Sequence, residues 1–240
     1  MFPLINFFDE KGMGVMKKSM GKKGLLAALL AVGCFAATGM VTAQDVGDKG
    51  EADTPKRVRM QRGDNAEVIA TLRQKAQSGD DKAQARLGIM YEQGLGVRRD
   101  GKQAVAWYEK AAAQNNSFAQ TALADMYARG RGVKHDYVKA ANWAQKGADN
   151  GDPRAQLILA YLYENGLGVK EDDQKAFALY TKSANKGETF SMYSLGVMYE
   201  EGRGVEKNRE KAIEWYQKAA SRDSTPAQEK MAEIQSKSGK

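Results

Sequence analysis

The chain has 240 residues, of which 42% are hydrophobic and 28% are charged, with one cysteine, one histidine and a formal net charge of +7. This composition is typical of a globular protein. A single cysteine excludes a disulfide framework, and one histidine beside it argues against most zinc and haem sites. Basic and acidic residues are well mixed, so the net charge gives little support to nucleic-acid binding.

Residues 1–43 have the order of a secretory signal. Met16–Lys23 is a short cationic segment, the uncharged stretch Leu25–Val41 follows it, and small residues precede position 44. We predict cleavage after Ala43, which would place the mature protein in the periplasm or outside the cell. Met1–Val15 has no signal character, so Met16 is the better start.

Two other fates of this N-terminal segment stay open. The uncharged run Gly24–Gln44 approaches the about 20 residues that a membrane span requires, so it could serve as an uncleaved anchor. Ala31-Val32-Gly33-Cys34 faintly resembles a lipoprotein processing site, which would lipidate Cys34. The apolar run continues beyond Cys34, which favours the cleaved signal peptide over lipidation.

The next segments are a linker and a first helix. Residues 44–64 are polar, contain Pro55 and hold almost no large apolar side chains, which predicts a flexible linker. A single helix is predicted over residues 65–80, because Leu72 and Ala76 lie 36 positions before residues of the repeat described next.

One motif of seven residues recurs four times at intervals of 36, as Tyr91–Val97, Tyr127–Val133, Tyr163–Val169 and Tyr199–Val205. Leucine, alanine, tryptophan and lysine positions keep the same spacing. Self-similarity at a fixed period is the signature of a repeat protein. The predicted repeats span residues 81–116, 117–152, 153–188 and 189–224.

Each repeat is predicted to form two helices. In the first, Leu87, Met90 and Tyr91 have the spacing of one buried helix face. Gly94 is predicted to end that helix in a left-handed conformation. The second helix carries Trp107 on its apolar stripe, which favours core packing. Helices of about 13 residues are marginal alone, so neighbouring repeats must supply the burial that stabilises them.

These positions resemble the Sel1-like repeat, a relative of the tetratricopeptide repeat, over residues 81–220. The resemblance implies an all-α fold, a right-handed α/α superhelix or solenoid of helix pairs, with a concave groove lined mainly by the first helices. It also implies the role of an adaptor or scaffold in protein–protein interaction, often in bacterial envelopes. A polar cap helix is predicted over residues 225–236, followed by a tail over 237–240.

The sequence gives little sign of catalysis, and we predict a non-enzymatic protein without cofactor or metal. The Gly-x-Gly-Val motif follows a predicted helix rather than a strand, so we interpret its glycines as helix terminators and not as a phosphate-binding loop. His135 shares its column with arginine, glutamate and lysine, which indicates an exposed loop position. Three acidic residues before the second helices are predicted helix caps: Asp100, Asp136 and Asp172.

Partner binding is predicted on the first helices, at positions that change between repeats and share one helix face. If this face lines the groove, it offers an apolar surface with charged residues at its rim. The alternative, that several of these residues only pack against the adjacent repeat, stays open. The predicted residues are Arg86, Ile89, Asp125, Arg129, Leu157, Ile158, Tyr161, Tyr193, Val197 and Glu201.

The predicted function is therefore that of an exported scaffold of the bacterial cell envelope, which binds a segment of another envelope or secreted protein. Binding or hydrolysis of cell-wall glycan or β-lactam is an alternative, since it has been linked to some cysteine-rich members of the family. This chain lacks their paired cysteines. A secreted factor that acts on a host cell is a third possibility.

Overall fold

The computed structural model describes residues 62–238, which belong to one compact unit, Arg59–Lys240. The predicted signal peptide and most of the predicted linker lie outside the described residues. Within residues 62–238 there are ten α-helices and no strand, which confirms the all-α prediction. The helices are α1 Arg62–Gln77, α2 Asp81–Gln93, α3 Gly101–Ala113, α4 Ser117–Arg129, α5 Tyr137–Asp149, α6 Pro153–Asn165, α7 Asp173–Asn185, α8 Thr189–Glu201, α9 Arg209–Ala220 and α10 Thr225–Ser238.

The helices pack in the order in which they occur along the chain. Each helix contacts the next one, and the contact is most extensive between the two helices of one repeat. The first helices of successive repeats also contact each other, α2 with α4 and α4 with α6. This arrangement is the α-solenoid that the repeat predicted.

Within the four repeats, the glycine terminators and the aspartate caps lie where the sequence indicated, whereas α1 runs over Arg62–Gln77 rather than 65–80 and α10 extends to Ser238 rather than 236. The glycine after each first helix is left-handed, with φ of 78° at Gly94, 68° at Gly130, 62° at Gly166 and 76° at Gly202, which confirms its role as a terminator. The side chains of Asp100, Asp136 and Asp172 accept hydrogen bonds from backbone amides in the first turns of α3, α5 and α7, as predicted for caps. Asn208 caps α9 in the same way.

In the second, third and fourth repeats, the second glycine of the Gly-x-Gly-Val loop contacts the preceding repeat. A Cβ at Gly132 would overlap the backbone of Gly101, the first residue of α3. Gly168 meets the backbone of Tyr137 and Gly204 meets that of Asp173 in the same way, each at the start of the second helix of the preceding repeat. The loop therefore rests on the preceding repeat at a distance that only glycine permits.

The core follows the columns of the repeat that keep one residue type. Leu87, Leu123, Leu159 and Leu195 are at most 1% exposed. Small residues beside the leucines admit the aromatic ring of the second helix, and a Cβ at Gly196 would lie only 2.5 Å from Cε1 of Tyr216. The buried apolar residues therefore pack between first and second helices, as in the cluster that contains Tyr180, Leu195 and Ala219.

The tryptophans differ from the core prediction in their degree of burial. Trp107, Trp143 and Trp215 are half-buried rather than fully buried. Each has a lysine ammonium over its ring, with Nζ 4.1 to 4.2 Å from the ring centroid, since the lysine follows three residues later on the same helix face. One ring face therefore packs inward while the other carries a cation.

Glutamine side chains join the repeats through the backbone. Gln84, Gln120 and Gln156 each donate to a carbonyl in the last turn of the preceding second helix, at 3.0 to 3.4 Å. Met192 holds this column in the fourth repeat and cannot donate. There the buried hydroxyl of Ser191 bonds that of Ser183 at 2.8 Å instead.

Candidate functional site

The predicted partner-binding residues all lie on first helices. Helices α2, α4 and α6 contact one another in series. We call the predicted residues on these helices and on α8 the first-helix surface. We define it by the predicted residues: Arg86 and Ile89 on α2, Asp125 and Arg129 on α4, Leu157, Ile158 and Tyr161 on α6, and Tyr193, Val197 and Glu201 on α8.

The residues of the first-helix surface differ in exposure. Arg86 and Glu201 are exposed. The half-buried residues are Ile89, Arg129, Tyr193 and Val197. The remaining four are buried, with exposures of 7% for Asp125, 9% for Leu157, 6% for Ile158 and 7% for Tyr161. Partner binding by this set stays a prediction, and the exposed and half-buried members are the ones with side-chain surface to offer.

Asp125 and Arg129 belong to a cluster of charges. The Asp125 carboxylate accepts from Arg129 Nε at 2.6 Å and from the guanidinium of Arg131, and Arg131 Nη2 also lies 3.1 Å from Oε1 of Glu92 on α2. The side chains of Asp125 and Arg129 are only 10% and 16% exposed. Since Glu92 belongs to the first repeat and the other residues to the second, the cluster fixes the junction of two repeats.

A tyrosine, a glutamate and a cation recur together along the solenoid. Tyr180 Oη donates to Oε2 of Glu164 at 2.7 Å, and Arg203 Nη2 from the next repeat lies 2.8 Å from Oε1 of the same carboxylate. The first repeat has Tyr108 and Glu92 with Arg131, and the fourth has Tyr216 and Glu200 with Lys230 of α10. A buried hydroxyl and a partly buried carboxylate are thereby satisfied together.

The pKa values of the buried tyrosines are those expected of groups with a structural role. Burial, together with the hydrogen bond to Glu200, raises the pKa of Tyr216 well above its ordinary value. Burial also raises the pKa of Tyr161 to about 12, with a smaller contribution from the negative charge of Glu164. These phenols stay neutral at physiological pH, so they act as hydrogen-bond donors and apolar rings.

Comparison with known proteins agrees with the repeat register. The Sel1 repeat family model matches residues 81–116, 117–152, 153–188 and 189–224, which is more than half of the chain. The chain belongs to the Sel1 repeat family. Proteins of this family are generally scaffolds of protein–protein interaction and are typically non-enzymatic. No curated protein matches the chain.

Among the solved structures that are similar to this chain are two Sel1 repeat proteins. One is a protective antigen present in uropathogenic Escherichia coli strains that displays an SLR fold. It is 38% identical to this chain, with a TM-score of 0.65. The match covers 66% of this chain and 34% of that one. The other is a Sel1 repeat protein from Oxalobacter formigenes, 33% identical with a TM-score of 0.64, covering 71% of this chain and 50% of that one. The chain thus matches about a third to a half of the length of these relatives.

Metal-ligating side chains do not form a cluster in the described Sel1 repeats. Residues 62–238 contain no group of three or more histidine, cysteine, aspartate or glutamate side chains that could hold a metal ion. His135 lies exposed in a loop, as predicted, with its ring edge-on to Tyr137 at a centroid distance of 4.1 Å. None of the helices α1 to α10 has the length and apolar character to span a bilayer.

Sequence reasoning missed the cations that link the repeats. Arg131 and Arg203 occupy the variable position inside Gly-x-Gly-Val, where the first and third repeats have Leu95 and Leu167. The alternation of leucine and arginine is visible in the sequence. The role of each arginine depends on a carboxylate across the repeat junction, and only the structure shows that contact.

Proposed function

We propose that this Sel1 repeat protein is exported to the bacterial cell envelope and acts there as a scaffold that binds a segment of another protein on its first-helix surface. The observation that supports this proposal is the series of contacts from α2 through α4 to α6, which places the first helices of successive repeats next to one another. A surface built from rigid helices can accept a peptide or a helix without rearrangement.

The accessible residues of the first-helix surface suit a segment with apolar anchors. Ile89, Tyr193 and Val197 are half-buried, so each presents some apolar area while its base is fixed by packing. Tyr193 is held by Tyr216, at a ring-centroid distance of 5.6 Å. Rigid aromatic and aliphatic anchors flanked by charges such as Glu201 are typical of binding surfaces.

Site-specific photocrosslinking in the native cell tests this proposal. A photoreactive amino acid replaces Val197 on α8, and a matched variant carries it at Val138 on the second helix α5, where the side chain is 56% exposed. We expect a discrete crosslinked protein from position 197 and not from position 138, identified by mass spectrometry. Equal products from both positions, or none from 197, would overturn the assignment of the surface.

A loss-of-contact variant separates binding from folding. Val197→Asp places a charge in the half-buried patch, and Val138→Asp is the control with the same change at an exposed position. We expect Val197→Asp to abolish the crosslink from a probe at Ile89 and Val138→Asp to leave it unchanged. Circular dichroism of both variants should show the same helix content.

A secreted factor that acts on a host cell is the second candidate. The observation that favours it is the 38% identity to a protein described as a protective antigen present in uropathogenic strains. Protective antigens are accessible to the host, so an outer or released location of this chain would fit. Detection of the protein in the culture medium of intact cells, rather than in the periplasmic fraction, would favour this role.

A further inference from the structure

The two end helices of the described solenoid are complementary halves of a repeat. Leu72 of α1 lies 36 positions before Tyr108, so α1 corresponds to a second helix without its first. Met231 of α10 lies 36 positions after Leu195, so α10 corresponds to a first helix without its second. Within residues 62–238, each end therefore lacks the helix type that the other end provides.

Helix α1 exposes the face that a first helix covers elsewhere. Val68 is 66% exposed, whereas the four alanines that follow at intervals of 36 are at most 2% exposed. Those alanines lie on second helices, each of which packs on the first helix of its own repeat. An exposed valine in a column that is otherwise fully buried marks an unpartnered face rather than a scattered surface residue.

Helix α10 exposes the face that, on the first helix of a repeat, is covered by the second helix. Ala232 keeps the small-residue column of Gly88 and Gly196, into which a second helix inserts its tyrosine ring. Ala232 is exposed, whereas Gly88 and Gly196 are buried. The neighbouring Met231 is half-buried, although the leucines of its column are at most 1% exposed.

The two end helices carry opposite charges at positions that face each other in the helix pair of a repeat. In the second repeat, a Cβ at Gly147 would lie 3.1 Å from Thr121 Oγ1, so these two columns face each other within a helix pair. The same columns hold Lys75 on α1 and Glu229 on α10. Stacking α10 on α1 of another copy would bring this lysine and this glutamate together, as a pair of opposite charges in columns that are largely buried within the repeats.

The tyrosine and glutamate of the repeats are replaced together at the two end helices, so stacking would bury no unpaired carboxylate at this position. The tyrosine and glutamate columns of the repeats continue as Leu72 in α1 and Ser236 in α10. If position 236 were a glutamate, its carboxylate would face Leu72 of the next copy. It would then lack the hydroxyl donor that a tyrosine provides in the repeats. The pair leucine and serine avoids this, just as the second repeat replaces both members together with Ala144 and Ala128.

We propose that copies of this chain associate head to tail, with α10 of one copy packing on α1 of the next to complete a helix pair. The contact joins two different surfaces, so it is heterologous and extends to a row of copies unless the row closes. It involves the ends of the solenoid and does not depend on the first-helix surface or on its partner.

A charge exchange tests the register of this contact. The full chain is studied by analytical ultracentrifugation in a mild detergent that keeps its apolar N-terminal segment dispersed. We expect the average mass of the wild type to rise with concentration. Lys75→Glu and Glu229→Lys should each raise the dissociation constant about tenfold or more, because each places like charges opposite each other.

Mixing the two single variants should restore association. The glutamate introduced at position 75 of one variant then faces the lysine introduced at position 229 of the other. At the alternate junction the unchanged Lys75 and Glu229 face each other, so every contact is complementary. The double variant Lys75→Glu/Glu229→Lys should associate like the wild type. Failure of both the mixture and the double variant to recover would overturn the proposed register.

A matched pair of valine variants tests the apolar part of the contact. Val68→Glu should leave the protein monomeric, because it charges the exposed face of α1. Val138→Glu makes the same change at another exposed valine, on α5 in the middle of the solenoid, and should leave association unchanged. A wild type that is monomeric at all concentrations, or association that survives Val68→Glu, would overturn the proposal.

Discussion

Gly130 and Gly132 lie two residues apart in the same loop and have nearly the same conformation, with φ of 68° and 73°. Their surroundings differ. A Cβ at Gly130 would come no closer than 3.4 Å to another atom, at His135, whereas a Cβ at Gly132 would overlap the backbone of Gly101. One glycine is required by its own backbone, and the other is required by its backbone and by the neighbouring repeat.

This difference predicts unequal costs for the same substitution. Gly130→Ala should lower the free energy of unfolding by about 1–2 kcal/mol, the cost of a left-handed non-glycine residue. Gly132→Ala should cost about 2 kcal/mol more, because the methyl group also forces two packed backbones apart. Urea unfolding followed by circular dichroism measures both. Equal losses for the two variants would show that the loop does not rest on the preceding repeat.

At the scale of elements, the first helices share one capping position, and one of them lacks its cap. Asp80, Asn116 and Asp152 each accept a hydrogen bond from an amide in the first turn of the helix that follows. Glu188, at the same position before α8, makes no such bond. The glutamate side chain is one methylene longer, and burial raises its pKa. The start of α8 is therefore less well satisfied than the others.

We expect Glu188→Asp to stabilise the protein by about 1 kcal/mol, since aspartate is among the preferred N-cap residues. The reciprocal variant Asp152→Glu should destabilise α6 by a similar amount and serves as the control. Thermal and urea unfolding of both variants against the wild type provide the measurement. A destabilised Glu188→Asp variant would mean that the longer carboxylate has another role, such as its attraction to Arg154.

Helices and their ends could be predicted because each is set by local chemistry that recurs four times. A glycine that must be left-handed, or an aspartate before a helix, needs no distant partner to be interpreted. The partial exposure of Trp107 could not be predicted in this way, because apolar periodicity gives the direction of a side chain and not the depth of its burial. The lysine three residues later is visible in the sequence, but only the structure shows its ammonium over the ring.

The candidate surface was harder to predict than the helices. Variable columns on the first helices could be identified, yet Asp125 and Ile158 are buried while Arg86 is exposed. Exposure at such a position depends on how far adjacent repeats approach, which varies with side chains on three helices at once. The link that Arg131 makes between repeats was missed because Glu92, one of its two carboxylate partners, lies 39 positions earlier in another repeat.

At the scale of the whole molecule, export should leave a defined product. Processing after Ala43 predicts a mature chain that begins at Gln44, contains no cysteine and is recovered from the periplasm or the medium. Cell fractionation with N-terminal sequencing measures this. Cys34→Ser should not change the mass of the mature protein if the cleaved signal is correct. Loss of processing in that variant, or an unprocessed chain in the membrane fraction, would favour lipidation or an anchor instead.

The residue between the two glycines alternates along the array. It is Leu95 and Leu167 in the first and third repeats, and Arg131 and Arg203 in the second and fourth. An unequal crossover that deleted only residues 153–188 would set Arg203 against Ala128, which has no carboxylate to pair with it. Deleting 117–188 would instead set Arg203 against Glu92 and recreate the ion pair of the first junction. The ion pair that Arg203 makes across its repeat junction would therefore survive the loss of the second and third repeats together, whereas loss of the third repeat alone would remove it.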